Sequence, residues 1–170
     1  GSDKTVIMYW EGLHIKKIVT LLKSAINDVV DHVRVLQQEY AVNLRNIIID
    51  EDGVGGGAKD FLRCQGFVNN SRAIKNENYQ NLKTQCYYKL ADLINKAQVG
   101  IDCTDVNVKN NIIEELEQVR TKDADKDNKL QIIAKDNVKS ILGRSPDYAD
   151  ALAMRMYYEI DSNFGKYYVQ

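Results

Sequence analysis

The sequence has few of the features that mark several large classes of protein. Its cysteines, Cys64, Cys86 and Cys103, form no CxxC pair, and with only two histidines in the chain they give no zinc-ligand pattern. Lysine and arginine (23) nearly balance aspartate and glutamate (24), so the net charge of -1 lacks the basic excess of many nucleic-acid-binding domains. Any contact with a nucleic acid would therefore have to be local.

Long apolar runs are also absent. No segment approaches the roughly 20 apolar residues that span a bilayer, and the N-terminus lacks the basic-then-apolar pattern of a secretory signal. We therefore expect no membrane partner and a cytoplasmic location. A hydrophobic content of 44% in 170 residues suits a single domain, which we expect to cover residues 1–170.

Hydrophobic periodicity predicts a mixed α/β fold. Residues 4–22 are predicted as a hairpin around Glu11-Gly12, and residues 25–40 as an amphipathic helix. Residues 46–50 form an apolar run typical of a buried strand. The remaining predicted elements are helices at 58–64, 82–94, 112–119 and 147–159 (the last with Ser145 as cap and Pro146 at the first position), a strand at 130–134, a short strand or linker at 99–102, and a surface loop at 65–78.

Three adjacent acids, Asp50, Glu51 and Asp52, stand where the predicted strand ends. Residues 53–57 after them are rich in glycine, which predicts a turn that lets other groups approach closely. Carboxylates crowded at such a point suit a hard divalent cation, which prefers oxygen ligands. An ordinary solvated acidic turn is the alternative that this feature leaves open. The glycines do not form a P-loop, since its Gly-Lys-Ser/Thr is missing.

A second pair of acids, Asp147 and Asp150, lies three residues apart at the start of the last predicted helix. This spacing places both carboxylates on one face. The small residues Ala149 and Ala151 would let the helix lie close to a sheet. Acids near a helix N-terminus are also favoured by the helix dipole, so a well-capped helix without further function is the alternative.

Together, the two acidic motifs resemble the nuclease domain of phage terminase large subunits. The motifs are residues 50–57, Asp-Glu-Asp-Gly-Val-Gly-Gly-Gly, and the more specific residues 143–152, Gly-Arg-Ser-Pro-Asp-Tyr-Ala-Asp-Ala-Leu. The resemblance extends over nearly the whole chain. It implies an RNase H-like α/β fold, with a mixed β-sheet flanked by helices. It also implies a two-metal-ion DNA endonuclease that cuts concatemeric DNA during genome packaging.

The resemblance also implies a set of acids that holds two Mg²⁺ or Mn²⁺ ions. Asp50 matches the strand-end acid, Asp150 the acid on the last helix, and Asp147 an accessory position one turn earlier. The family's first metal-binding aspartate lies on a first strand that precedes the Gly-Ser-Asp turn, at which this chain starts. Either that strand and its acid are missing, which would leave the chain inactive, or Asp3 takes over part of the role.

The partners implied are double-stranded DNA, the terminase ATPase domain, the small terminase subunit and the portal protein. Lys135, Lys139 and Arg144 flank the last helix and are predicted phosphate contacts on DNA, with solvated cations as the alternative. Two other functions remain open. One is a Holliday-junction resolvase-like nuclease with a similar last helix, and the other is a catalytically silent DNA-binding or assembly module.

Overall fold

The computed structural model describes residues 4–52, 54–123 and 126–161, with the backbone alone at 54 and 55. The strands in these residues are β1 (Lys4–Glu11), β2 (His14–Leu22), β3 (Ile48–Asp50), β4 (Gln65–Phe67), β5 (Gly100–Ile101), β6 (Thr121–Lys122) and β7 (Gln131–Ile132). The helices are α1 (Ile26–Glu39), α2 (Val54–Leu62), α3 (Leu82–Asn95), α4 (Val106–Gln118), α5 (Lys135–Leu142), α6 (Asp147–Arg155) and α7 (Tyr157–Ile160), with 3-10 turns at Leu44–Asn46 and Ile74–Asn76.

The predicted hairpin is confirmed. β1 and β2 pair antiparallel, from Lys4 opposite Leu22 to Glu11 opposite His14. Gly12 makes the turn with φ of 60°, a conformation that glycine adopts without steric cost. β5 pairs in parallel with β2, so the segment predicted as a short strand or linker is a strand. The resulting sheet has the order β1-β2-β5.

A second, parallel pair of strands carries the strand-end acids. β3 pairs with β4, and Asp50, the last residue of β3, is opposite Phe67. The prediction of an irregular loop over residues 65–78 is therefore wrong at its start. β4 is only three residues long with Phe67 as its one buried side chain, which is too short to produce an alternating pattern.

The glycine-rich stretch is helical, which corrects the predicted turn. α2 begins at Val54, so Gly55, Gly56 and Gly57 lie in its first turn. A Cβ atom on Gly57 would lie 2.7 Å from Cδ1 of Ile26, and one on Gly56 would lie 3.0 Å from the carbonyl oxygen of Glu51. These glycines therefore let α2 pack closely against α1 and against the end of β3.

Helices cover both faces of the strands. On one face, α1 and α2 form a small core around Val29, Val30, Val33, Ala58 and Leu62. On the other face, α3, α4 and α6 form a larger core, whose buried members include Leu90, Ile112, Tyr148, Leu152 and Met156. Within the described residues, none of the helices has the length and apolar character needed to cross a bilayer.

The last part of the chain differs from the prediction in two ways. α5 is an additional helix with Val138 as its one buried residue, so its apolar stripe is too narrow to be predicted from periodicity. The predicted helix 147–159 is divided at Met156 into α6 and α7, and Pro146 rather than Ser145 lies at the N-cap of α6. No side chain at that N-cap accepts a hydrogen bond from the helix.

The described residues form two main sheets, β1-β2-β5 and β3-β4, in place of one continuous sheet. β1 and β3 face each other across a slot.

Candidate metal centre

The acids of the two motifs meet at one end of this slot. Asp50 ends β3, while Asp147 and Asp150 lie in the first turn of α6, and all three line the slot together with Lys135 of α5. Residues that are about one hundred positions apart in sequence are thus neighbours. The structure brings together the acids predicted from two separate motifs.

Asp50 is positioned by an asparagine from the neighbouring strand connection. The Asn69 amide donates to both Asp50 oxygens, at 3.0 and 3.2 Å, and to Oδ2 of Asp52 at 2.6 Å. The backbone N–H of Asp52 also donates to Oδ1 of Asp50 at 2.9 Å. Asn69 follows β4, and because parallel strands end at the same edge of a sheet, it lies beside the end of β3. It reduces the repulsion between two carboxylates that would otherwise oppose each other.

Asp147 connects α6 to the start of β1. Its Oδ2 atom accepts a hydrogen bond from the backbone N–H of Lys4 at 2.9 Å. This contact fixes the first turn of α6 against the described start of the hairpin.

Asp150 is the most strongly held of the acids. Its Oδ1 atom lies 2.6 Å from Nζ of Lys83 and accepts a hydrogen bond from the Tyr87 hydroxyl at 2.7 Å. Its Oδ2 atom lies 2.8 Å from Nζ of Lys135. The carboxylate is 16% exposed and Lys83 is 17% exposed, whereas Lys135 is 46% exposed and reaches in from the surface.

The charges at this point shift two pKa values. Burial acts to raise the pKa of Asp150, but the ammonium groups of Lys83 and Lys135 outweigh it and lower that pKa below its usual value. Burial acts to lower the pKa of Lys135, but Asp150, Asp147 and Asp50 together raise it. Lys135 therefore lies within the field of all three acids.

Lys83, Tyr87 and Asn69 are site residues that the sequence did not reveal. Lys83 and Tyr87 are four residues apart on α3, which places them on one helix face. That spacing was a usable signal, but many such pairs occur on helix surfaces. Asn69 gives no signal in the sequence, because β4, which positions it, is too short to be predicted.

Arg144, a predicted phosphate contact, is engaged by side chains of α4. Its guanidinium group forms an ion pair with Glu115, which is fully buried on α4, and donates to Asn111 at 2.9 Å. Glu115 in turn accepts the backbone N–H of Ala149 at 2.8 Å, in the first turn of α6. Burial raises the pKa of Glu115, and the Ala149 N–H and Arg144 only partly oppose this effect. A carboxylate from α4 thus accepts a backbone N–H in the first turn of α6.

Four other positions that the sequence analysis names have different outcomes. Lys139 is exposed on α5, one turn beyond Lys135. Asp3 lies outside the described residues. Glu51 forms an ion pair with Lys59 at 2.8 Å, and Asp52 stays beside Asp50 through Asn69.

The carboxylates at the end of the slot are the type of ligand that a divalent cation takes, but they are not arranged as a metal site. Carboxylate oxygens are the ligands that Mg²⁺ and Mn²⁺ prefer. Within the part of the chain that the structure describes, however, no three His, Cys, Asp or Glu side chains form a group that could hold a metal ion. Lys83 and Lys135 supply the positive charge beside Asp150 instead.

Comparison with protein-family models and with curated proteins gives no match. Solved structures do match. The nuclease domain of the large terminase subunit gp2 of bacterial virus Sf6 has a TM-score of 0.78 at 23% identity, covering 92% of this chain and 83% of that chain. A mutant of that domain with manganese and beta-thujaplicinol has a TM-score of 0.78 at 22% identity, with the same coverage.

The large terminase nuclease from thermophilic phage G20c is a more distant match. It has a TM-score of 0.55 at 16% identity, covering 92% of this chain and 82% of that chain. TM-scores of 0.78 confirm the RNase H-like class predicted from the sequence, and at identities this low the similarity concerns the fold alone. The chain therefore has the fold of the nuclease domains of phage terminase large subunits.

Proposed function

We propose that this chain is the metal-dependent DNA endonuclease domain of a phage or prophage terminase large subunit, which cuts concatemeric DNA during genome packaging. One observation carries the proposal. Asp50, Asp147 and Asp150 converge at the end of the slot, in a chain that has the fold of terminase nuclease domains.

Asp50 and Asp150 are the proposed catalytic ligands of two Mg²⁺ or Mn²⁺ ions, with Asp147 as an accessory ligand and Asp3 as a further candidate. A bound divalent cation would supply a Lewis acid that makes water a nucleophile near neutral pH. In support, a solved structure of the similar fold contains manganese. Asn69 orients Asp50, while Lys83 and Tyr87 orient Asp150.

Lys135 and Lys139 are the proposed phosphate contacts. They lie one turn apart on α5, and Lys135 extends from the surface to the acids. Cations near a phosphodiester neutralise its charge and fix its position without reading its sequence. Arg144 is the weaker candidate, because Glu115 and Asn111 already engage its guanidinium group.

The near-neutral net charge of -1 supports a domain with weak intrinsic affinity for DNA. Its substrate would be delivered by the packaging motor, through the ATPase domain, the small terminase subunit and the portal protein. The proposed place of action is the cytoplasm of the bacterial host.

The test is nicking of supercoiled plasmid in Mn²⁺ and in Mg²⁺. Asp50→Asn and Asp150→Asn should abolish nicking, whereas Asp31→Asn, on the exposed side of α1, is the matched control and should not. A longer version with an aspartate-bearing strand before Gly1 is assayed in parallel. Activity confined to the longer version keeps the proposal and identifies the missing ligand.

A silent DNA-binding or assembly module is the second candidate. The observation that favours it is the lack of a ready-made metal group among the described residues. Absence of nicking in both the parent and the longer version, combined with retained DNA binding, would favour this candidate over the nuclease.

A further inference from the structure

A loop of residues 68–76, which we call the α3 loop, lies beside the acids. Near its start, the Asn69 side chain donates to Asp50 at 3.0 Å. The Asn69 carbonyl oxygen accepts the backbone N–H of Lys83 at 3.2 Å, and the Lys83 ammonium group pairs with Asp150. The α3 loop is therefore in contact with groups that hold two of the acids at the end of the slot.

Hydrogen bonds fix the backbone of the α3 loop. Gln85 of α3 is 2% exposed, and its amide accepts the N–H of Ile74 at 2.7 Å and donates to the Ile74 carbonyl oxygen at 3.1 Å. The Ser71 hydroxyl donates to the carbonyl oxygen of Val68 at 2.8 Å, and the Ser71 carbonyl oxygen accepts the N–H of Leu82 at 2.8 Å. A buried polar side chain needs such partners, and Gln85 finds them in the backbone of a surface loop.

The α3 loop also contains strained backbone. Lys75 and Asn76 have φ values of 58° and 54°, in the left-handed region. This conformation costs free energy for residues that carry a Cβ atom, and two such residues in succession are unusual. Strain of this kind persists where neighbouring contacts enforce it, and it is frequent at sites that bind ligands. The Gln85 contacts at Ile74 enforce it here.

Two cations of the α3 loop have no partner within the described part of the chain. Arg72 and Lys75 are both exposed, and neither forms a hydrogen bond or an ion pair there. By contrast, Lys83 and Lys135 are paired with Asp150. Because the net charge of the chain is -1, contact with a polyanion has to depend on local cations that the protein itself does not neutralise.

We propose that Arg72 and Lys75 bind the phosphate backbone of duplex DNA next to the acids. Consecutive Cα atoms lie about 3.8 Å apart, so the Cα atom of Arg72 is at most about 11 Å from that of Asn69. Each DNA strand carries a phosphate about every 3.4 Å along the helix axis, so a duplex at the acids presents several phosphates over this distance. Arg72 supplies a planar donor fork that matches a phosphate, and Lys75 supplies a point charge.

The composition of the α3 loop favours duplex over single-stranded DNA. Proteins that hold single strands usually stack the bases on aromatic side chains, and residues 68–76 contain no aromatic residue. Cations on a fixed backbone suit phosphates, which set the position of the duplex without revealing its sequence. The inference rests on the proposed function, because it names the surface that holds the substrate of that same site.

The test measures binding of a short fluorescent DNA duplex to the protein by anisotropy, in EDTA and at several salt concentrations. Affinity falls with roughly the 0.9 power of salt concentration per phosphate contact, so one lost contact costs about tenfold at about 50 mM salt. We expect Arg72→Gln and Lys75→Gln each to bind about tenfold more weakly and to reduce the salt slope by about 1. Arg34→Gln on α1 and Lys109→Gln on α4, both at exposed positions, are the matched controls and should bind as the parent does. Equal binding by all four variants overturns the proposal.

Lys75→Gly separates a role in binding from a role in folding. Glycine adopts a positive φ without steric cost, so this variant should gain about 2 °C in Tm while it loses the same affinity for the duplex as Lys75→Gln. A fall in Tm together with weaker binding would show that the Lys75 side chain supports the fold, and this result overturns its assignment as a phosphate contact.

The result can be distinguished from that of the nuclease test, because binding in EDTA requires neither metal nor cleavage. Weaker binding by Arg72→Gln and Lys75→Gln supports the surface even if the parent does not nick plasmid. Nicking that is lost in Asp50→Asn, combined with unchanged duplex affinity of both loop variants, keeps the nuclease and overturns the surface. Absence of duplex binding by the parent at low salt also overturns it, as does a loss of affinity for single strands alone.

Discussion

Nζ of Lys83 lies 2.6 Å from Oδ1 of Asp150, and Nζ of Lys135 lies 2.8 Å from Oδ2 of the same carboxylate. Both oxygens of this carboxylate are thus already paired with a cation of the protein. A divalent metal at this carboxylate has to compete with two ammonium groups. A single substitution at either lysine would change this competition.

Removal of one ammonium group should strengthen metal binding. Two unit charges about 4 Å apart interact by about 4 kcal/mol at an effective dielectric constant near 20, and relaxation and solvent reduce this value. We expect Lys83→Met to bind Mn²⁺ about tenfold more tightly in calorimetry, which corresponds to about 1.4 kcal/mol. Lys96→Met at the C-cap of the same helix is the control, because the partner of Lys96 is the exposed Asp92. If Lys83→Met binds Mn²⁺ as the parent does, or more weakly, the lysine does not compete with the metal for Asp150.

Asp150→Asn should destabilise the fold in a pH-dependent way. Because the folded pKa of Asp150 is lowered, the ionised carboxylate contributes stability above its unfolded pKa of about 3.9, and this contribution is lost as pH falls through the folded value. Loss of one partner from a buried ion pair costs about 3 kcal/mol. In urea unfolding at pH 7, the free energy of unfolding of the variant should be lower than that of the parent by this amount. The difference should shrink below pH of about 4. A difference that stays constant to low pH would count against the ion pairs.

Asn69→Asp should convert a neutral bridge into a third carboxylate beside Asp50 and Asp52. The Asn69 amide donates to both acids, and its replacement leaves three carboxylates in contact. In EDTA, we expect the free energy of unfolding to fall by about 1 kcal/mol. On addition of Ca²⁺, which takes oxygen ligands, we expect Tm to rise. Asn70→Asp, at the neighbouring residue bonded to Asn81, is the control and should not acquire the Ca²⁺ response.

Arg144→Met should test the structural role against the DNA-binding one. It leaves the buried Glu115 without its guanidinium partner, at a cost of about 3 kcal/mol near neutral pH. Burial already raises the pKa of Glu115, and the variant raises it further, so protonation relieves the cost. The loss of stability should therefore grow as pH rises from about 4 to 7. Arg34→Met on the exposed side of α1 is the control. If Arg144→Met instead binds DNA more weakly at an unchanged free energy of unfolding, the result would support the predicted contact of Arg144 with phosphate.

The parts of the fold that sequence could predict are those with long, regular patterns. The hairpin of β1 and β2 and the helices α1 and α3 have enough apolar repeats to identify them. β4 and α5 could not be predicted, because three residues or one buried side chain give no period. The glycines of α2 were misinterpreted because their reason is tertiary, namely the close approach of Ile26 and Glu51.

The site shows the same division. Asp50, Asp147 and Asp150 could be predicted because each belongs to a contiguous motif. Lys83 and Tyr87 could not, since what makes them part of the site is their contact with an acid more than sixty positions away. For Arg144, the sequence shows a cation beside a motif, but it does not show the buried carboxylate of α4 that the guanidinium group faces.

Glu115 holds the first turn of α6 through the Ala149 N–H, and so it sets where Asp147 and Asp150 stand relative to Asp50. Consider a random mutagenesis screen that scores a function carried by those acids. Its loss-of-function hits at Glu115, Asn111 and Arg144 would group with the hits at the acids themselves. A map of sensitive positions drawn from such a screen would therefore extend from the slot through α6 to α4. Sensitivity in that map would measure mechanical support as well as chemistry.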